Sequence, residues 1–322
     1  DMGTVAITQS APDGNNWPVT LYGADGVTPI VGGGNVDNDS SGTLSYVRLE
    51  YGGLPVNDGA QFEVLGLYGV GSGTTLSHID MRQADFGCLF AEGGSFNADH
   101  IICQWSGNGG IDFTRGNHSK AQFLVDQEVA GSSAEGLGLK QHNPPNQLPP
   151  LTNPTIYNVT VTSTSAPASV TLKDPYGLFM NRAPGGNVYN FISTGFRAGL
   201  NMANGVGTVA TTTLKNSILF GNVDPTAAVG VTTNISEPTG NDTDMTAWFN
   251  TAGWNNSQVD PMLQDPQNVS FLRMGPATTL TTNAATPPND GFFDPTAAYI
   301  GAFKDRNDNW ATAGYWVVWA PN

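Results

Sequence analysis

Short apolar segments that follow a glycine recur through the middle of the chain. Each holds an aligned Leu or Ile, and these residues lie 22, 26, 41 and 22 positions apart. No stretch keeps the i, i+3, i+4, i+7 spacing of an amphipathic helix over three turns, so the segments are interpreted as short strands. The aligned residues are Leu89, Ile111, Leu137, Leu178 and Leu200.

A second strand-like segment precedes each of these positions. The copies lie at residues 44–49, 76–81, 98–103, 121–125, 157–161, 189–192 and 215–219. A repeat of about 22 residues with two or three short strands is one rung of a parallel β-helix, in which like strands stack roughly 4.8 Å apart. We therefore predict an all-β, right-handed, single-stranded parallel β-helix with irregular capping segments at both ends.

The repeat divides the chain into three parts. Residues 42–230 hold the rungs, and a Pro-rich loop is inserted at 140–154 because its prolines do not fit a central sheet position. Residues 1–41 form an N-terminal strand or cap segment, whose stretch at 4–10 is strand-like but out of period. Residues 231–322 form an irregular C-terminal segment, in which Asp244 is predicted to cap one short helix.

Aromatic residues gather close to the C terminus, at Trp310, Tyr315, Trp316 and Trp319. The open end of a β-helix exposes apolar rungs and unpaired strand edges, which invites aggregation. We expect these side chains to cap such an end, and an aromatic platform for carbohydrate is the alternative.

The charge balance limits the partners. The 322 residues include 12 basic and 27 acidic side chains, which gives a net charge of −15. Such a surface repels nucleic acid and anionic membranes, and no apolar run is long enough to span a bilayer. With only 12% charged residues, Asn, Thr, Ser and Gln must supply the polar surface.

Five stretches of the sequence carry a family resemblance. They read SGTLSYVRLEYGG, VGSGTTLSHIDM, NPTIYNVTV, TLKNSILFGN and AYIGAF, and they spread over about residues 41–303. They resemble secreted or surface bacterial proteins of the right-handed parallel β-helix type, the pectate-lyase-like superfold. The resemblance implies an extracellular or cell-surface location, and most such proteins have no known activity.

The strongest cluster of charged residues lies just beyond the aligned Leu and Ile positions. It contains Glu92, Arg115, Lys140 and Arg182, with Asp112 nearby. A polysaccharide lyase needs a cation or Arg against the uronate carboxylate and an Arg or Lys as base. The alternative is a solvated turn edge where Glu92 and Arg115 pair across rungs, and we favour it. A hydrolase needs close carboxylates, and the sequence has no Asp-Asp pair.

Metal ligands are offered at two kinds of position. Two Asn- and Asp-rich turns could hold calcium, although no cofactor is required; their carboxylates are Asp37, Asp39, Asp305 and Asp308. In the rungs, His78 and His100 are in register behind Tyr46 and point outward. They form either a surface stack or a site for a divalent metal, and we favour the stack.

The two cysteines, Cys88 and Cys103, form either one bridge in an exported protein or two buried thiols, and the sequence leaves both open. Taken together, the patterns favour a non-enzymatic extracellular or cell-surface protein with a structural, adhesive or filament-forming role. Its expected partners are copies of itself, other cell-surface components or a polysaccharide. The alternative is a polysaccharide lyase or glycoside hydrolase that acts on an acidic polysaccharide.

Overall fold

The structure is a computed structural model. It describes residues 5–8, 19–22, 29–32, 36–53, 63–129, 134–141, 151–164, 176–182, 184–203, 211–224, 232–236, 244–266, 268, 273–313 and 316–317. The middle of the predicted Pro-rich loop, at 142–150, lies outside these residues, as do Tyr315 and Trp319.

Nineteen strands and one short helix are present in these ranges. In chain order they are Val5–Thr8 (β1), Val19–Tyr22 (β2), Pro29–Gly32 (β3), Thr43–Glu50 (β4), Leu65–Tyr68 (β5), Thr75–Ala84 (β6), Gly87–Glu92 (β7), Asn97–Ser106 (β8), Gly109–Thr114 (β9), Lys120–Glu128 (β10), Leu137–Lys140 (β11), Thr155–Ser163 (β12), Tyr176–Asn181 (β13), Gly186–Thr194 (β14), Ala198–Ala203 (β15), Thr212–Lys215 (β16), Ile218–Leu219 (β17), Met245–Phe249 (α1), Leu263–Asp265 (β18) and Arg273–Pro276 (β19).

Two parallel sheets form the body of the molecule. Sheet 1 has the order β1-β5-β7-β9-β11-β13-β15, and sheet 2 has the order β16-β14-β12-β10-β8-β6-β4, with β17 also paired to β14. From β4 to β16 successive strands alternate between the two sheets, so each rung contributes one strand to each. This arrangement is the predicted parallel β-helix. The pairs β2–β3 and β18–β19 are antiparallel and lie outside both sheets.

The predicted core column is confirmed in sheet 1. Leu89 pairs with Ile111, Ile111 with Leu137, Leu137 with Leu178, and Leu178 with Leu200. All five side chains are at most 1% exposed. The backbone register of sheet 1 also extends backward from the aligned positions, because Leu65 pairs with Leu89 and Val5 with Leu65. The N-terminal stretch that looked out of period is therefore an integral strand of sheet 1.

In sheet 2 each rung turns a corner at an equivalent residue with a left-handed backbone, which in the last rung lies between β16 and β17. We call these residues the side column, and their φ angles lie between 53° and 59°. The residues directly before and after them pair in register, so the same corner recurs in every rung. A non-glycine residue pays roughly 1–2 kcal/mol for this conformation, least for Asn. The side column consists of Tyr46, His78, His100, Phe123, Asn158, Asn190 and Asn216.

The C-terminal segment, here residues 273–313 with 316 and 317, packs along the outer face of sheet 2. Phe303 belongs to one buried cluster with Ile102 and Val125. Ile300 belongs to another with Ile192 and Ile218. These contacts span strands from β8 to β17, so the segment covers the side of the β-helix.

The path of the C-terminal segment corrects the expectation that its aromatic residues cap an open end of the β-helix. Trp316 packs edge-on against His78 with ring centroids 5.2 Å apart, and Trp310 does so against His100 at 4.9 Å. Both indoles therefore cover the side of the first rungs and not an open end. They are packing residues, as expected, and the indole nitrogens of both are used in hydrogen bonds to backbone oxygens.

The short helix α1 lies at the β16–β17 end of the core. Its predicted cap is confirmed, since Asp244 Oδ1 accepts a hydrogen bond from the Ala247 N–H at 2.8 Å. Met245 and Phe249 are at most 1% exposed and belong to the same apolar cluster as Leu219. The helix therefore buries its apolar face against the last rung.

Candidate functional site on sheet 1

The candidate catalytic residues lie on the outer face of sheet 1. Asp112 and Thr114 lie on β9, where they pair in register with Gly138 and Lys140 of the neighbouring strand β11. Between them Ile111, Phe113 and the Leu residues of β11 point into the core. The alternation of the strand thus presents the charged side chains together, outside the core.

Glu92 and Arg115 form an ion pair across adjacent rungs, as the favoured interpretation required. The pair is less solvated than expected, because the Glu92 side chain is only 4% exposed. Arg115 takes the left-handed turn position that Gly69 and Gly93 occupy in the preceding rungs. Its backbone therefore turns the chain, while its guanidinium neutralises a buried carboxylate.

Lys140 is held between two carboxylates. Its Nζ lies 2.7 Å from Asp112 Oδ2, and it also donates to Glu135 Oε1. The side chains of Asp112 and Glu135 are 9% and 2% exposed, and that of Lys140 is 21% exposed. The sequence pattern missed Glu135, because it lies in the irregular segment before β11, where strand alternation does not apply. Glu63 has the same rung position, two residues before Leu65.

Burial governs the protonation of these groups. It raises the pKa of Glu63 to about 8, with the nearby charge of Asp112 adding to the effect. It also raises the pKa of Glu135 to about 8, although Lys140 acts in the opposite direction. Burial alone would lower the pKa of Lys140, but Asp112 and Glu135 outweigh it and hold this pKa well above its ordinary value. Lys140 is therefore poorly suited to act as a base at neutral pH.

Arg182 does not join this cluster. It also occupies a left-handed turn position, with φ 64°. It lies two strands beyond Arg115 in sheet 1, roughly 10 Å along the axis. No ion pair involves it within the described ranges.

The calcium candidates serve local turns. Asp305 Oδ1 accepts a hydrogen bond from the Asn307 N–H, and Asp308 Oδ2 accepts one from the Lys304 N–H, both at 2.8 Å. Asp37 and Asp39 accept hydrogen bonds through their backbone carbonyls. Among the residues described, none of the four belongs to a group of three or more convergent metal-ligating side chains. Calcium binding here stays a prediction.

The two histidines stack as favoured. Their rings lie 4.3 Å apart and are tilted by 16°. Asp99, which the sequence pattern did not single out, accepts a hydrogen bond from Ser77 Oγ and lies 2.5 Å from His100 Nδ1. His78, Asp99 and His100 also bring three potential metal-ligating side chains within 4.8 Å of one another, so a divalent-metal site here stays a prediction beside the observed stack.

The cysteines form a disulfide bond, Cys88–Cys103, with a Cα–Cα distance of 5.8 Å. The bridge joins β7 to β8 within one rung. In the next rung Gly110 occupies the position equivalent to Cys88, and Asp126 occupies the position equivalent to Cys103. A Cβ at Gly110 would collide with the Asp126 carboxylate, so the same corner holds a covalent bridge in one rung and a glycine in the next.

The two stacked parallel sheets place the chain among the parallel β-helix proteins, a class that is defined by its architecture and not by one chemistry. Within that class the chain belongs to the family of the pectate-lyase-like β-helix domain, whose sequence model matches residues 1–260. Neither the curated proteins nor the solved structures contain a match. No helix in the described ranges is long and apolar enough to cross a membrane.

Proposed function

We propose that this protein is a non-enzymatic extracellular or cell-surface β-helix with a structural or adhesive role. One observation carries the proposal. Two of the three basic side chains that a lyase would use are engaged with protein carboxylates, Arg115 with Glu92 and Lys140 with Asp112. An arginine that neutralises a buried protein carboxylate is not free to neutralise a uronate, so these pairs serve to hold adjacent rungs together.

The disulfide supports the extracellular part of the proposal. Disulfides persist in oxidising compartments and are rare in the reducing cytosol. The bridge between Cys88 and Cys103 is fully buried, with both cysteines at 0% exposure. The acidic and otherwise uncharged polar surface also suits a protein that stays soluble outside the cell.

A second candidate is a polysaccharide lyase or glycoside hydrolase that acts on an acidic polysaccharide. The observation that favours it is the protonation of Glu63 and Glu135. Carboxyl groups with a pKa of about 8 keep their protons at neutral pH, as a general acid must. Their burial is evidence against this candidate, because Glu63 and Glu135 are only 7% and 2% exposed.

Turnover assays distinguish the two candidates. The protein is incubated with a panel of uronate polysaccharides, and unsaturated products and new reducing ends are measured. We expect no turnover above that of the triple variant Arg115→Ala, Lys140→Ala, Arg182→Ala. Turnover by the wild type that the triple variant loses would overturn the non-enzymatic proposal.

Association assays test the proposed role directly. Sedimentation velocity at increasing concentration reports self-association, and pull-down on bacterial cells and immobilised glycans reports adhesion. We expect at least one of these to be positive. A monodisperse monomer at high concentration that binds neither cells nor glycans would contradict a structural or adhesive role.

A further inference from the structure

The three charged groups Lys140, Asp112 and Glu135 form a compact triad between adjacent rungs. Asp112 lies on β9 and Lys140 on the neighbouring strand β11. The Nζ atom is in contact with Asp112 Oδ2 and donates to Glu135. Both carboxylates are less than one-tenth exposed. An amine, a carboxyl group that can accept it and a second carboxyl group that can move protons thus meet in one site.

The backbone is shaped to bring the amine and the carboxyl group together. Gly138 lies in register with Asp112, and a Cβ there would collide with Asp112 Oδ1 and lie 3.0 Å from Lys140 Cε. Only glycine leaves the space in which the two side chains meet. The ring of Phe179 lies 5.7 Å from Nζ and forms an apolar wall. Within the described residues, the buried Asp112 Oδ1 has no hydrogen-bond partner.

We propose that Lys140 Nζ and Asp112 Cγ condense to an isopeptide bond, which ties β9 covalently to β11, and that Glu135 transfers the protons. One proton first passes from the Lys140 ammonium to the Asp112 carboxylate within the ion pair, and the neutral amine then attacks Cγ of the resulting carboxyl group. The N–C bond forms and one C–O bond breaks, so that one carboxyl oxygen leaves as water. Glu135 donates a proton to the leaving oxygen and accepts one from nitrogen, so it is regenerated. No atom is oxidised or reduced, and no further reactant is needed.

The physical setting favours this reaction over a permanent ion pair. Groups held in contact react with effective molarities of about 10⁵–10⁸ M, which offsets the unfavourable loss of water in dilute solution. Burial by itself opposes the charged forms of both groups, although the two carboxyl groups outweigh it and keep Lys140 charged most of the time. Glu135, with its pKa of about 8, holds the proton that it must donate at neutral pH. Because Lys140 is mostly an ammonium, the reaction is slow and occurs once per molecule.

A second Lys–Asp pair in the same chain provides a matched control. Lys120 Nζ lies 2.6 Å from Asp290 Oδ2, a distance like that of the buried pair. Its two side chains are 42% and 30% exposed. The contact distance is nearly the same in both pairs, so burial and the second carboxyl group, that of Glu135, distinguish them. We expect the exposed pair to stay ionic.

Intact mass spectrometry of the denatured full chain tests the proposal. We expect the wild type to be lighter than its sequence by one water molecule, in addition to the two hydrogens lost in the disulfide. Lys140→Arg and Glu135→Gln should each retain that water, whereas Lys120→Arg should lose it as the wild type does. A peptide digest of the wild type should yield one branched peptide that contains both residues 112 and 140.

The result does not depend on whether the variants fold. A wild-type mass that lacks only the two disulfide hydrogens overturns the proposal. A water loss that persists in Lys140→Arg also overturns it, since the loss would then come from elsewhere in the chain, such as a cyclised aspartate. A branched peptide that joins any other pair of residues would have the same consequence.

Discussion

The equivalent positions of the side column hold two kinds of side chain. In its first half, the ring half, four rings stack on one another: Tyr46 on His78 at 4.5 Å, His78 on His100 at 4.3 Å, and His100 against Phe123 at 4.7 Å. In its second half, the amide half, the position is asparagine in all three rungs, at Asn158, Asn190 and Asn216. The φ angles of the two halves are the same within a few degrees.

The amide half holds the C-terminal segment by directed hydrogen bonds. Asn158 Nδ2 donates to Tyr299 O at 2.7 Å. Asn190 donates to Ala285 O and accepts from the Ala285 N–H, both at 2.8 Å. An irregular segment that lies on a sheet would otherwise bury backbone groups without partners, and these amides satisfy them.

The ring half holds the same segment by packing alone. Trp310 and Trp316 lay their rings against His100 and His78 and direct their own N–H groups back into the C-terminal segment. The left-handed backbone therefore fixes the corner of the rung, whereas the side chain at this position varies with the part of the C-terminal segment that packs on it. The amide half should be costly to change and the ring half more tolerant.

The largest effect is expected at Asn158, which is fully buried. Asn158→Ala removes hydrogen bonds to the carbonyls of Ala297 and Tyr299 and places alanine in a left-handed conformation. We expect the free energy of unfolding to fall by about 3–4 kcal/mol, measured by urea denaturation. Asn158→Gly removes the same bonds without the backbone strain, so it should lose about 1 kcal/mol less. Equal losses in both variants would show that the left-handed corner carries no cost.

The disulfide should contribute nearly as much to the free energy of unfolding. It belongs to the ring half, because Cys103 and His100 both lie on β8. The cysteines are 15 residues apart, and closing a loop of that size stabilises the folded chain by about 3 kcal/mol. We expect a loss of that size in urea denaturation of the double variant Cys88→Ala, Cys103→Ala. Reduction of the wild type under the same conditions is the control. An unchanged midpoint after verified reduction would contradict the prediction.

A smaller effect is expected at Trp310, which is only partly buried. Trp310→Ala removes its contacts with His100 and with Phe303. We expect a loss of about 2 kcal/mol, since a half-buried indole contributes less than a fully buried one. Hydrogen exchange should rise at residues 302–313 and stay low at 283–301, whereas Asn158→Ala should show the reverse. Uniform exchange along the segment in both variants would show that the two halves hold it as one unit.

The periodic part of this picture was predictable from the sequence, and the rest was not. The column from Leu89 to Leu200 and the stack of His78 on His100 repeat with the rungs, so counting positions placed them correctly. Glu135 lies in the irregular segment before β11, where counting positions along a strand does not apply. The contacts of Trp310 and Tyr299 come from a segment without period, and they join residues separated by more than 100 positions, as in the bond from Asn158 to Tyr299.

The smallest effect concerns the pH dependence of the ring half. Burial, with the neighbouring His100 second, lowers the pKa of His78 below its ordinary value of 6.5. The unfolded chain then binds this proton more tightly, so the contribution of His78 to stability falls as the pH drops through and below 6.5. Asp99 stays ionised in this range, because hydrogen bonds from His100 and Ser77 outweigh burial and lower its pKa.

The prediction is tested as a difference between the wild type and His78→Asn, because other groups titrate in the opposite sense. Glu63 and Glu135, with pKa values raised to about 8, destabilise the folded chain as the pH rises above their ordinary value of 4.5. Asparagine suits the left-handed corner and carries no charge. Between about pH 7.5 and 5.5, the wild type should lose stability relative to the variant, measured by urea denaturation. Parallel curves would show that the stacked imidazole is not desolvated by the residues packed on it, and the ring half would then differ from the amide half in shape alone.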